Sequence, residues 1–392
     1  MSIASTQATR TRGRAGAPRL KTRGALLWEP GTRSGWSVEE IEFDPPRAGE
    51  VLVKLAATGL CHSDYHLDAG DVAVPYKPAL GGHEAAGVVV EVGPGVTTLA
   101  EGDHVVTTIP ACGRCPSCGT GRGNLCDLGE FIQAGVQMSD LTYRRWVNGD
   151  VPVGAVCQIG AFSPYVVTHE VVCVKIPEHI PLEKAALLGC AVITGWGSAV
   201  YRAETQPGDT VAVLGVGGLG INAVQGARMA GATTIVAIDL VEWKREKARE
   251  FGATHTAASA EEAQELLREL TRGRMAERAI VTVSLATGDI LEQAVALTGK
   301  GGVTVITGLA PEAQRDVKLD LFMLTLWEKE IRGSCAGGIR IRHDIPRLLR
   351  YYEEGVLQLD EQITRTYTLD EINQGYQDML EGRNLRGLIV FD

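Results

Sequence analysis

The alternation of apolar and polar positions changes character part-way along this chain. From Glu50 to Val106, short apolar segments (Val51–Ala56, Gly87–Val92 and His104–Thr108) are divided by Gly/Pro turns such as Gly93-Pro94-Gly95, the pattern of an irregular β domain. After Pro207-Gly208-Asp209, an apolar strand Val211–Leu214 runs into a glycine turn. A helix of small residues near Leu219–Ala230 and a second strand Thr234–Ile238 follow, completing a βαβ unit. Charged helical stretches, Glu242–Glu250 and Ala260–Leu270, then alternate with apolar Ile280–Val283 and Val303–Thr307, which predicts an α/β region with a parallel sheet covered by helices. From about Gly337, a Leu/Tyr-bearing helix Ile345–Glu354 leads to a strand-like Gly387–Phe391, expected to rejoin the first domain.

Length supports more than one core. At 392 residues, with 45% hydrophobic and 22% charged residues, the chain has the balance of a globular protein of two or three domains. No apolar run approaches the roughly 18 residues of a membrane-spanning helix. Residues 1–24 carry six basic groups and no acidic one, and are expected to be a disordered basic tail. The net charge of −10 therefore falls on an even more acidic body, which disfavours nucleic acid as a partner. The tail has no apolar core like that of a secretory signal, so a reducing cytoplasm is the expected location.

Nine cysteines are unevenly spread, and four of them, Cys112, Cys115, Cys118 and Cys126, follow CxxCxxCx7C. That spacing lets a short lobe, at about residues 110–130, wrap four thiolates around one tetrahedral zinc. With every corner filled, such an ion holds a loop in shape and does not catalyse.

Three further ligand candidates are dispersed: Cys61 in Cys61-His62-Ser63-Asp64, His83 in Gly81-Gly82-His83-Glu84, and Cys190 in Gly189-Cys190-Ala191. Two thiolates and one imidazole make a Cys₂His set that leaves the fourth position of a zinc ion open. An alcohol bound at that corner would have its pKa lowered and could release hydride to a neighbouring acceptor. Ser63 and His66 flank the site and are expected to pass the released proton to solvent. Asp64 is expected to orient a ligand imidazole from behind. Glu84 is expected either to tune the metal or ligate it transiently, or simply to pair with a nearby arginine.

Gly215-Val216-Gly217-Gly218-Leu219-Gly220 satisfies GxGxxG directly after an apolar strand, and Asp239 follows nineteen residues after Gly220 at the end of the next strand. Gly215 allows the tight turn, Gly217 admits a pyrophosphate, and Gly220 permits close helix–strand packing. Asp239 would bind ribose hydroxyls and repel a 2′-phosphate, so NAD is expected over NADP.

Taken together, these residues and the segment Gly189-Cys190-Ala191-Val192-Ile193-Thr194-Gly195-Trp196-Gly197 make the sequence resemble the zinc-dependent alcohol dehydrogenases of the medium-chain dehydrogenase/reductase superfamily, from about Leu26 to Asp392. The resemblance implies a GroES-like β catalytic domain over residues 25–190 and an inserted Rossmann domain over 191–336. A C-terminal return over 337–392, one catalytic and one structural Zn²⁺, and a homodimer or homotetramer are implied as well. It further implies that His62 contacts cofactor phosphates, Thr194 and Leu219 the nicotinamide, Lys244 the adenosine ribose, and Arg386 the pyrophosphate.

Through Gly59-Leu60-Cys61-His62-Ser63-Asp64-Tyr65-His66 and Gly252-Ala253-Thr254-His255-Thr256, the sequence is most similar to actinobacterial NDMA-dependent alcohol dehydrogenases, some of which retain NAD(H) and recycle it in place. The expected activity is NAD(H)-dependent interconversion of a primary alcohol and its aldehyde. The alternatives are a thiol-adduct (glutathione or mycothiol) formaldehyde dehydrogenase and a noncatalytic NAD-binding protein. Against the first, Glu130 stands where glutathione-dependent relatives have an arginine. Cys157, Cys173 and Cys335 match no motif and are expected to be packed thiols.

Overall fold

A computed structural model describes residues 19–392. The expected tail falls mostly outside the described residues, but its boundary at residue 24 needs correcting. Leu20–Leu27 is a strand paired antiparallel with Ser37–Phe43. The basic groups assigned to the end of that tail are spent on ion pairs: Arg19 lies 3.0 Å from Asp44, and Arg23 pairs with Asp370. Alternate positions facing a core, with charges on the other side, are what make a strand of this stretch.

The β part is built from two sheets. Glu50–Gly59 is central to one of them, paired antiparallel with Ala85–Val92, with Tyr165–His169, and with the C-terminal strand Arg386–Val390. Through that last pairing, residues late in the sequence complete the sheet that carries the first site segment. Trp36, Phe162 and Tyr376 pack together at its core. A side chain on Gly81 would collide with Trp36 and Phe162, so glycine is required just before His83.

The second part is a six-stranded, all-parallel sheet. Its spatial order is His255–Ala257, Thr234–Ile238, Thr210–Leu214, Ala276–Val281, Thr298–Ile306, Glu330–Gly333. Numbered along the chain this is 3-2-1-4-5-6, the doubly wound order whose crevice opens where neighbours diverge, between the carboxyl ends of Thr210–Leu214 and Ala276–Val281. Its strands are buried on both faces, as parallel strands under helices must be. The helices Glu242–Glu250 and Ala260–Leu270 have the bounds expected from their charge pattern, whereas the last long helix, Ile341–Glu353, begins four residues earlier than expected. No helix among the described residues is long and apolar enough to cross a membrane.

Candidate active site

Three elements deliver the dispersed ligands. Cys61 caps the helix His62–Ala69, His83 lies in the loop between Ala79–Leu80 and Ala85–Val92, and Cys190 precedes the helix Ala191–Gly197. One ligand atom from each lies within 4.8 Å of the others. The pKa of the Cys61 thiol is lowered strongly, first by the hydrogen bond with Cys190 and then by His83, while that of Cys190 is raised, first by its hydrogen bond with Cys61 and then by burial. Burial opposes a charge on His83, but Asp64, Cys190 and Cys61 outweigh it and raise its pKa well above the usual value. Two thiols with an imidazole, gathered this closely, are a donor set that suits zinc.

Asp64 stands behind the imidazole. One carboxylate oxygen accepts from Gly82 N–H at 2.9 Å, and the other lies 2.9 Å from His83 Nδ1, which leaves Nε2 free to ligate. Glu84 does not join the ligand group. One of its oxygens pairs with the buried Arg386, and the other accepts from Ala191 N–H at 3.1 Å. Of the roles expected for it, the structure gives the arginine pairing, and its contacts brace the chain beside two ligands. Burial lifts its carboxyl to about 7 despite Arg386.

The expected hydroxyl-to-imidazole chain is not formed. Ser63 Oγ lies 3.6 Å from Cys61 Sγ, but both ring nitrogens of His66 are engaged elsewhere, Nδ1 with Asp71 at 2.8 Å and Nε2 with the Ser284 carbonyl at 2.9 Å. His66 is also buried, so it has no direct path to water.

The crevice beside the triad has the shape its glycines require. Gly215 has φ +86° and touches Val283, and a Cβ on Gly220 would strike the Gly215 carbonyl. A Cβ on Gly217 would meet no protein atom within 4 Å, so that face of the turn is open to a ligand. Gly195 lets Ala191–Gly197, the helix that carries Thr194, lie directly on the Leu219 backbone. Asp239 accepts from Val216 and Val241 N–H, both at 2.9 Å, which fixes its carboxylate behind the glycine turn, and Lys244 is near enough for its charge to be felt there. Arg386 packs under Gly218 with a buried Nε that has no partner, an orphaned donor suited to a phosphate oxygen. Burial pushes the imidazole of His62 down to about 4, beside Lys244 and Arg386.

At the other metal cluster, the four sulfurs of Cys112, Cys115, Cys118 and Cys126 also lie within 4.8 Å of one another. The pairs Cys112/Cys118 and Cys115/Cys126 are 4.0 and 3.9 Å apart, close to the about 3.8 Å edge of a zinc–thiolate tetrahedron. Backbone N–H groups of Cys112, Cys115 and Cys118 point at sulfurs of the same lobe. Asp127 N–H, with help from Cys118, lowers Cys115 to about 7. Of the unassigned cysteines, Cys173 is buried, Cys157 is partly so, and Cys335 is exposed, contrary to its expected packing. Cys335 closes a short turn whose carbonyl accepts from Asn124.

Cysteine pairs and an imidazole at the mouth of a dinucleotide crevice define a class of metal-assisted oxidoreductase. Comparison with known proteins agrees. Residues 47–178 match the alcohol dehydrogenase GroES-like domain and residues 218–354 match the zinc-binding dehydrogenase family. An NDMA-dependent alcohol dehydrogenase of Amycolatopsis methanolica is 48% identical over 95% of this chain and 99% of its own length. Alcohol dehydrogenase B of Mycobacterium tuberculosis is 47% identical over the same shares. Among solved structures, an alcohol dehydrogenase zinc-binding domain protein from Burkholderia ambifaria superposes with a TM-score of 0.88, at 33% identity, over 96% of this chain and all of the other. A more distant alcohol dehydrogenase of E. coli CFT073, complexed with NADH, has a TM-score of 0.75 and 25% identity, covering 95% of this chain and 99% of that one.

The chain belongs to the zinc-binding alcohol dehydrogenases of the medium-chain dehydrogenase/reductase superfamily. Its two parts are accordingly a GroES-like domain and a Rossmann domain, and the protein is an oxidoreductase acting on alcohols.

Proposed function

We propose that this protein interconverts a primary alcohol and its aldehyde, with NAD(H) in the crevice and zinc at both cysteine clusters. The observation that carries this reading is the convergence of Cys61, His83 and Cys190 at the edge of the glycine-turn crevice. Zinc held at that triad would supply Lewis acidity to the alcohol oxygen, and a nicotinamide in the crevice would take the hydride from the carbon bearing that oxygen once the hydroxyl proton has left.

Asp64 holds the His83 ring so that Nε2 faces the ion, and a carboxylate there keeps the ring's other nitrogen protonated. Ser63, beside Cys61, is the first residue placed to take the proton that leaves the alcohol hydroxyl. Thr194 and Leu219 flank the nicotinamide half of the crevice, and His62 and Arg386 face the phosphates. The fixed carboxylate of Asp239, with Lys244 beside it, supports NAD over NADP.

In the lobe, Cys112, Cys115, Cys118 and Cys126 fill all four corners of their ion and keep the loop in shape. Exposed Leu321, Phe322 and Leu326, next to the edge strand Glu330–Gly333, support a homodimer or homotetramer.

The test is metal analysis combined with assays of alcohols and aldehydes with NAD(H), with and without an external electron acceptor. Two zincs per chain and hydride transfer to nicotinamide are expected. A protein with fewer than two zincs, or one that binds NADH and turns over no alcohol, contradicts the reading. A formaldehyde oxidation rate that depends on added glutathione or mycothiol would instead favour the thiol-adduct reaction, which the carboxylate of Glu130 opposes.

A further inference from the structure

The helix that begins at Cys61 ends at a turn that reaches across the crevice. Gly70 takes a left-handed φ of 84°, and the N–H groups of Gly70, Asp71 and Val72 all point at the His66 carbonyl. The turn is therefore wound tightly around His66. From it, three contacts run to the Rossmann domain. His66 Nε2 meets the Ser284 carbonyl at 2.9 Å, the Asp71 carbonyl accepts from Glu312 N–H at 2.8 Å, and Ala73 N–H reaches the Glu312 carboxylate at 3.4 Å. Asp71 also fixes the His66 ring through Nδ1 at 2.8 Å, so one residue supports two of the three contacts.

Their place in the sheet gives them meaning. Ser284 follows the strand Ala276–Val281, and Glu312 follows Thr298–Ile306, both on the far side of the crevice from Asp239. Ser284 also lies next to Val283, which packs on Gly215 of the glycine turn. In a 3-2-1-4-5-6 sheet, a dinucleotide whose adenosine lies at the Asp239 side extends its other half over these two strand ends. The contacts thus span the half of the crevice where the nicotinamide lies.

We propose that Asp71 and Glu312 are positioning residues that clasp the catalytic domain onto the Rossmann domain over the nicotinamide, and that this clasp slows dinucleotide release. The proposal rests on the NAD(H) reading above and adds the residues that set how long the cofactor stays. The helix His62–Ala69 carries a metal ligand at its start and the clasp at its end, so the clasp can open without displacing Cys61.

The test follows the fluorescence of bound NADH after mixing with excess NAD⁺, with no alcohol present. A hydrogen bond of ordinary strength corresponds to a factor of about five, so Asp71→Ala and Glu312→Pro should each speed release about five-fold and the pair more than about ten-fold. Asp71→Asn, whose side-chain amide can hydrogen-bond His66 Nδ1 as either acceptor or donor, should stay within about two-fold of wild type. Zinc content should be unchanged throughout.

Equal release rates in Asp71→Ala and Asp71→Asn overturn the clasp, and they do so even if Glu312→Pro unsettles its own loop. A wild type that binds no NADH overturns the functional reading itself, before any variant is made. Tight NADH binding with release indifferent to these substitutions removes the clasp alone.

Discussion

The two cysteine clusters teach opposite lessons about how a chain builds a metal site. In the lobe, four ligands come from fifteen residues, the thiols are only partly buried apart from Cys126, and neighbouring N–H groups point at the sulfurs. Local geometry suffices there. The triad draws three ligands from three separate segments, one of them more than a hundred residues beyond the other two, and every one depends on other parts of the fold. Gly81 must let Trp36 and Phe162 close over His83, Asp64 must orient the ring, and Glu84 with Arg386 must brace the chain beside two ligands. A filled coordination shell tolerates a modest frame, whereas an open corner needs a rigid one.

Substitution should separate the two clusters sharply. Cys61→Ala is expected to lower alcohol turnover by about 10³-fold or more and to reduce zinc from two per chain to one, because no other side chain stands ready to replace the thiolate. Metal analysis alongside steady-state rates measures both effects. If turnover survived, the triad would not be the reacting centre.

Asp64→Asn leaves the ligands in place and disturbs only the support, so a loss of about 10- to 100-fold in activity or metal affinity is expected, read by competition with a chromophoric chelator. Asp239→Ala should weaken NAD⁺ by about ten-fold through the lost ribose contact while narrowing the preference over NADP⁺, scored as the ratio of kcat/KM values. The smallest effect on turnover belongs to the lobe. Cys115→Ala should change kcat by less than about three-fold while lowering stability by about 3 kcal/mol, seen as a fall of about 5–10 °C in Tm. A Cys115→Ala protein that kept its Tm but lost its activity would reverse the comparison.

The same contrast explains what can be read from sequence. The lobe is plain from CxxCxxCx7C alone, and the glycine turn from its place between a strand and a helix. Gly215, Gly217 and Gly220 behave as their spacing requires. The triad is recoverable because the family's motifs surround each ligand.

What stays hidden in the sequence are contacts between distant segments, which carry no periodic signal. The engagement of His66 with Asp71 and Ser284 is one such contact, and only the docking of two domains decides which way that ring turns. Arg23 finds Asp370 across 347 positions, and the end of an apparently solvated tail becomes a strand by pairing with Ser37–Phe43. The exposure of Cys335 likewise follows from where its turn meets Asn124, and neither residue forecasts the other.

The pairing of Arg386–Val390 with Glu50–Gly59 has a consequence for the order in which the protein is made. During synthesis, the strands of the parallel sheet are all made before Arg386–Val390, the last of the three partners of Glu50–Gly59, so that sheet can mature first as a unit. The β-sheet must wait, half-built, with one flank unzipped. Arg386 travels on that late strand, so the brace beside the reacting centre is supplied only after every strand of the parallel sheet has been made.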